Sequence, residues 1–193
     1  MTDFVCENSF GESLFYRVFD FVSYLRGLCT GVEASFSILG VDYGTRKIGL
    51  SVGKIGDGLA FPKDVLIGDW NNVEDCFSAL LKKIEEYKAQ AIVIGFPLKM
   101  NGEQHDNCKK IIQVAEKLLQ HFKEKKVCFP ILLFDERFTT QATYAIEKVV
   151  SKASQNNKRA GERSFENSKK NNSNSFDDAK SATIMLNEVL GLF

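Results

Sequence analysis

The stretch Ser37-Ile38-Leu39-Gly40-Val41-Asp42-Tyr43-Gly44-Thr45-Arg46-Lys47-Ile48-Gly49-Leu50-Ser51-Val52-Gly53 decides the fold. An apolar run from Ser37 to Val41 ends in a carboxylate and passes through a glycine-bearing turn. A second apolar run, Ile48 to Gly53, follows at once. Two strands joined so tightly are antiparallel neighbours. Asp42 therefore leaves a buried strand as a charged group, which is costly unless something positive meets it. A metal ion, or a phosphate with its metal, is the simplest such partner.

Downstream, strands and helices alternate. Residues around Val65–Ile67 read as a third, edge-like strand. Asn71 and Glu74 have the spacing of a capping box ahead of the stripe Val73, Phe77, Leu80, Leu81 and Ile84. Ala91 to Gly95 is apolar throughout, the mark of a strand covered on both faces. Cys108, Ile111, Ala115, Leu118 and Phe122 mark a second helix. Ile131 to Phe134 is another buried strand, with Pro130 at its entrance, where a lost ladder hydrogen bond is tolerated. Thr139 or Thr140 is placed to cap a helix reaching about Val150. A last helix carries Ala182, Met185, Leu186 and Val189 on one side, with Asp177 and Asp178 expected in its first turn, where the helix dipole favours carboxylates. The pattern predicts an α/β domain over residues 37–193. Residues 151–176 interrupt it: rich in Asn, Ser and Lys, they predict a mobile loop. Lys152, Lys158, Arg159, Arg163, Lys169 and Lys170 against Glu162 and Glu166 make that loop basic.

Composition narrows the function classes. The chain has 193 residues, no formal net charge, 44% hydrophobic and 26% charged residues, which is ordinary for one globular domain. Zero net charge argues against a nucleic-acid coat protein but not against a local basic face. Cys6, Cys29, Cys76, Cys108 and Cys128 are odd in number and scattered, so a disulfide framework or thiolate zinc site is not expected, and a reducing, cytoplasmic setting is. With His105 and His121 the only histidines, a metal here should be a hard cation held by carboxylates. No apolar run approaches the roughly 18 residues of a membrane span, so no membrane partner is expected.

Residues 1–36 form an N-terminal extension. Leu14, Val18, Phe21, Leu25 and Leu28 recur at helical spacing, and Asp3, Glu7, Glu12 and Asp20 make it a poor targeting peptide. The expectation is an amphipathic helix packed on the domain or on a second copy in a homodimer. The competing readings are a membrane-surface helix, disfavoured because its polar face is not basic, and translation from a non-ATG codon near Val32.

Three acidic clusters stand at element ends: Asp42, Asp135-Glu136 and Asp177-Asp178. Each alone has an ordinary explanation as a cap or ion-pair partner. Together, at the strand ends where α/β domains place ligands, they point to divalent cations, because converging carboxylates repel unless cations fill the gap. Two cations about 4 Å apart suit in-line phosphodiester cleavage.

Four motifs in order resemble one family: Leu39 through Val52, Gly95-Phe96-Pro97-Leu98-Lys99-Met100-Asn101-Gly102, Asp135-Glu136-Arg137-Phe138-Thr139-Thr140, and Asp178 through Leu186. They are similar to the YqgF family, also called RuvX, over about residues 37–190. The resemblance implies an RNase H-like fold with a five-stranded mixed sheet in the order 3-2-1-4-5, strand 2 antiparallel. It implies a hydrolase, a metal-dependent endonuclease, described both as a Holliday junction resolvase and as a nuclease maturing the 5′ end of pre-16S rRNA. Carried over position by position, the acidic site falls on Asp42, Glu136 and Asp178, with Mg²⁺ or Mn²⁺ as cofactor and Asp135 and Asp177 as secondary candidates. Strands 1 and 5 lie roughly 10 Å apart in that order, at about 4.8 Å per step, and Gly95 between them would leave room for Glu136 to reach across. Gly44, Thr45, Arg137, Lys169 and Lys170 are the candidates for contacting the substrate, either pre-16S rRNA or branched DNA. The N-terminal extension and the long Asn-rich loop depart from the family's pattern. Two other classes share part of the signal. An actin-like ATPase has the Asp-x-Gly-Thr turn but needs a second phosphate loop and a duplicated domain. A non-catalytic RNA- or ribosome-binding module would bind equally well with its acidic residues neutralised.

Overall fold

The computed structural model describes residues 14–15, 17–28, 36–98, 106–135 and 173–193. The elements in chain order are β1 (Leu14–Phe15), α1 (Val18–Leu28), β2 (Ser37–Tyr43), β3 (Lys47–Lys54), β4 (Ala60–Ile67), α2 (Val73–Glu86), β5 (Ala91–Phe96), α3 (Asp106–Glu124), β6 (Ile131–Asp135) and α4 (Ser173–Leu190). The helix expected to end near Val150 and the basic loop up to residue 172 lie outside the described residues.

The strands form one sheet in the order β1-β6-β5-β2-β3-β4. β2, β5, β6 and β1 are parallel to one another, and β3 is antiparallel to both β2 and β4. The five-strand order expected from the sequence is present within it, and the count among the described residues is corrected to six. The addition is β1, a two-residue strand pairing Leu14 with Ile131 and Phe15 with Leu132. Leu14 has the phase of the helix that follows, so its spacing gives no hint of a strand. Pairing against the otherwise open edge of β6 decides its conformation.

Alternation along each strand divides the core in two. Leu39, Val41, Ile92, Ile94, Ile131 and Leu133 pack under α2 and α3. Ile38, Ala91, Val93, Leu132 and Phe134 pack on the other face with Phe21, Val22 and Leu25 of α1 and Met185, Leu186 and Val189 of α4. Strands so covered on both faces lose their polar alternation, which is why β2, β5 and β6 read as unbroken apolar runs. Arg26 of α1 donates to the carbonyls of Leu192 (2.7 Å) and Phe193 (3.3 Å), joining the N-terminal helix to the chain's last turn.

Two local expectations shift. α2 is capped by Asn72, whose side chain accepts from the Glu74 amide at 2.9 Å. Asn71, the residue with capping-box spacing, is held by Asp69 at 2.6 Å and receives the Lys110 ammonium at 2.5 Å. α4 begins at Ser173, a turn earlier than expected, so its first turn holds no acidic residue and the dipole explanation for Asp177 and Asp178 does not apply. Among the described residues no helix is long and apolar enough to cross a membrane.

Asp64 ties edge strand β4 to α2. It accepts from Lys83 and from the Tyr87 hydroxyl, each at 2.5 Å, and these bonds hold its carboxyl below the ordinary 3.8. A carboxyl depressed in the folded state stabilises above its unfolded value, and that contribution is lost as pH falls through the lower folded value. Urea unfolding from pH 6 to pH 2 should therefore show an acid-side loss of stability that is smaller in Asp64→Asn. Asn72→Ala should cost about 1 kcal/mol at neutral pH by the same measurement, the usual loss for removing an N-cap.

Candidate active site

Asp42 is the last residue but one of β2 and is partly buried. By alternation it shares the α1/α4 face with Ile38 and Gly40. The residues beside it on that face have no side chains. Gly49 of β3 is its direct antiparallel partner. On the other side, Val41 is in register with Ile94, so the next step along both parallel strands sets Gly95 beside Asp42. Gly40 precedes it on the same face. A glycine inside a strand costs roughly 0.5–1 kcal/mol against alanine, so three around one carboxylate represent a sizeable expense for cleared space.

Gly40 also sets how close α4 comes. A Cβ there would overlap the Ser51 hydroxyl and lie 3.1 Å from both the Ala182 carbonyl oxygen and the Leu186 Cβ. Ser51, fully buried, donates its hydroxyl to that same carbonyl at 2.9 Å. Further along the helix, Leu190 lies against Gly53, the register partner of Ile38. Moving from Leu190 to Ala182 along α4 is thus moving from Ile38 to Gly40 along β2. Asp178 stands four residues beyond Ala182, about 6 Å of helix rise, while Asp42 stands two beyond Gly40, about 6.6 Å of strand. Helix and strand therefore carry residues 178 and 42 toward the same end of the sheet. Asp178 has the helical phase of Ala182, and Asp177 is one residue out of it.

Asp135 ends β6 opposite Phe96 and has the phase of Ile131 and Leu133, which places it on the α2/α3 face, away from Asp42. The structure does not bring it to the site. Glu136, Arg137, Lys169 and Lys170 lie outside the described residues, as do the side chains of Asp177 and Asp178. Among the described residues no group of three or more His, Cys, Asp or Glu is disposed to hold a metal.

The β2–β3 turn is fixed from behind. The Gly44 amide donates to the Lys47 carbonyl at 2.9 Å, and a Cβ on Gly44 would lie 2.6 Å from that oxygen. The carbonyls of Thr45 and Arg46 accept from the amides of Trp70 and Gly68. The Tyr43 hydroxyl donates to the Trp70 carbonyl at 2.5 Å, and burial, then Cys76 and Asp69, push it up to about 12, so it is neutral at ordinary pH. Gly44 and Thr45 thus sit in a braced turn directly after Asp42. The sequence reading missed Ser51 and Gly49. Small residues at alternate positions 49, 51 and 53 were the available signal.

An all-but-parallel sheet with one antiparallel strand, helices on both faces and a carboxylate at the end of the central strand define an RNase H-like domain. The fold is similar to that of the yeast mitochondrial Holliday junction resolvase, with a TM-score of 0.50 and 10% identity, covering 90% of this chain and 83% of that one. The family model described as "RuvX: Holliday junction resolvase" matches residues 36–191, and the chain belongs to this family. Among curated relatives, a protein of Rickettsia bellii named "Putative pre-16S rRNA nuclease" is 36% identical over 105 residues, which are 54% of this chain and 64% of the relative. One of the same name from Pseudomonas fluorescens is 39% identical over 108 residues, 53% of this chain and 66% of the relative. The chain spans just under two thirds of the length of these relatives.

Gly40→Ala should destabilise the protein by about 1–3 kcal/mol in urea unfolding, because the added methyl has nowhere to go without lifting α4 or displacing Ser51.

Proposed function

We propose that the chain is a metal-dependent endonuclease that hydrolyses phosphodiester bonds, with the 5′ leader of pre-16S rRNA as its substrate. The observation that carries this reading is Asp42 set among Gly40, Gly49 and Gly95 on the face where α4 runs back toward it. Such clearance suits a carboxylate that shares a bulky, hydrated ligand. The relatives' names supply the substrate class.

In this reading Asp42, Glu136 and Asp178 hold Mg²⁺ or Mn²⁺. The proposed donors are oxygen only, as hard cations prefer, and the glycine-cleared face beside Asp42 would leave room for a hydrated ion. In sequence phase Glu136 follows Leu132 and Phe134, which line the α1/α4 face. The bound ion would supply an activated water and charge neutralisation at the departing oxygen. Hydrolysis breaks the bond between phosphorus and the 3′ oxygen, leaving a 5′ phosphate and a 3′ hydroxyl. Asp42 would be one of the residues holding that ion, at the end of β2 beside the cleared face. The braced turn at Gly44 and Thr45 holds the approach to it open. Arg137, Lys169 and Lys170 neutralise flanking phosphates, so binding weakens steeply with salt.

Cleavage of branched DNA is the second reading, favoured by the description of the family. Both are tested by incubating wild type and Asp42→Asn with a pre-16S 5′ leader and with a four-way junction, in Mg²⁺ or Mn²⁺ at physiological salt. Wild type should cleave the leader, and Asp42→Asn should be slower by about 100-fold or more, since even loss of an outer partner of a metal ligand costs 10–100-fold. Faster cleavage of the junction would select the resolvase. Equal cleavage by both proteins would remove Asp42 from the site, and tight binding without cleavage by wild type would make the chain a binding module.

A further inference from the structure

We propose that Ser51 is a positioning residue for the acidic site: its hydroxyl, through the Ala182 carbonyl, sets the depth and rotation of the α4 turn that follows Asp178. The proposal rests on the metal-site reading above and adds to it a residue outside the carboxylate set.

Ser51 is fully buried in the middle of β3, where an apolar residue would serve packing better, so its hydroxyl requires a partner. That partner is a main-chain carbonyl inside a helix, at 2.9 Å. The carbonyl of residue 182 also faces the helix's own amide four residues on, so the bond from Ser51 is additional to the helical ladder and is made from the sheet. It can form only because Gly40, Ser51's neighbour in register, leaves the space that a Cβ would occupy. Van der Waals contact alone allows a helix to slide or roll on a sheet, whereas a hydrogen bond to one carbonyl fixes both its height and its phase. The fixed turn is the one adjoining residue 178. The next turn upstream carries a side-chain bond of its own kind: Thr183 donates to the Ala179 carbonyl at 2.7 Å, so two carbonyls of the turn after residue 178 accept from hydroxyls. β3 meanwhile places Gly49, two residues before Ser51, directly against Asp42. One strand therefore both clears the space at Asp42 and pins the helix that bears Asp178.

The test is calorimetric titration of Mn²⁺ into the full-length folded chain without nucleic acid, with thermal unfolding in parallel. Ser51→Ala should bind Mn²⁺ about tenfold more weakly, the loss typical of a supporting partner of a metal ligand. Ser51→Cys, which keeps a weak donor, should recover part of that affinity. Leu190→Ala, in the same helix–sheet contact but at Gly53, should lower Tm while leaving Mn²⁺ affinity unchanged. If Ser51→Ala does not fold, Ser51→Cys decides: weakened binding supports the proposal and wild-type binding overturns it. Ser51→Ala binding Mn²⁺ as wild type does, or Leu190→Ala weakening it equally, would overturn this inference and leave the metal site standing. A wild type that binds no Mn²⁺ would overturn both.

Discussion

The seating of α4 against the sheet at near-backbone distance is the constraint on which the rest depends. A helix normally rests on a sheet through a layer of side chains from both. Here Gly40 offers none, and the helix comes down until the Ala182 carbonyl meets the Ser51 hydroxyl. That approach fixes the helix along β2, and its upstream turns run toward the strand end where Asp42 lies. A looser helix would bury the same Met185, Leu186 and Val189 but would not determine where its acidic turn ends up. The energetic cost is three glycines in strand interiors, which local propensity disfavours, and it is accepted at the end of the sheet where Asp42 stands.

The two faces of the sheet do different work. The face under α2 and α3 is continuous apolar packing, braced at its edge by Asp64, Lys83 and Tyr87 and at the strand ends by Tyr43 and Trp70. It supplies the rigidity. The face under α1 and α4 holds the smaller core and gives way, toward the C-terminal ends of β2 and β5, to the cleared space at Asp42. In the proposed site, carboxylates gathered beside Asp42 at this end would need a compensating charge between them.

The legible and illegible parts of the sequence divide along physical lines. The β2–β3 hairpin, the three parallel core strands and the helices over residues 73–86 and 106–124 were readable because burial on one or both faces leaves an unmistakable apolar rhythm. The sheet order followed from family resemblance. β1 was not readable, since Leu14 has the phase of the helix that follows and the two residues became a strand only by docking on β6. Nor was the true start of α4, which lies in an Asn- and Ser-rich stretch of poor helix propensity. Asp42 announced itself as a charge at the end of an apolar run. That Asp135 faces away was open to inspection, because it has the phase of Ile131 and Leu133. The role of Ser51 was hidden: a serine within an apolar strand gives no sign of its partner until a helix from the other end of the chain is laid over it.

The central claim, that this seating gathers Asp42 with carboxylates from β6's end and from α4 around one hard cation, is most directly tested by anomalous diffraction from crystals of the chain grown with Mn²⁺. The account predicts a manganese peak coordinated by Asp42, above Gly95 on the α4 face, with Glu136 and Asp178 completing the carboxylate set. Manganese bound elsewhere, with the Asp42 carboxylate engaged by a protein cation instead, would contradict it.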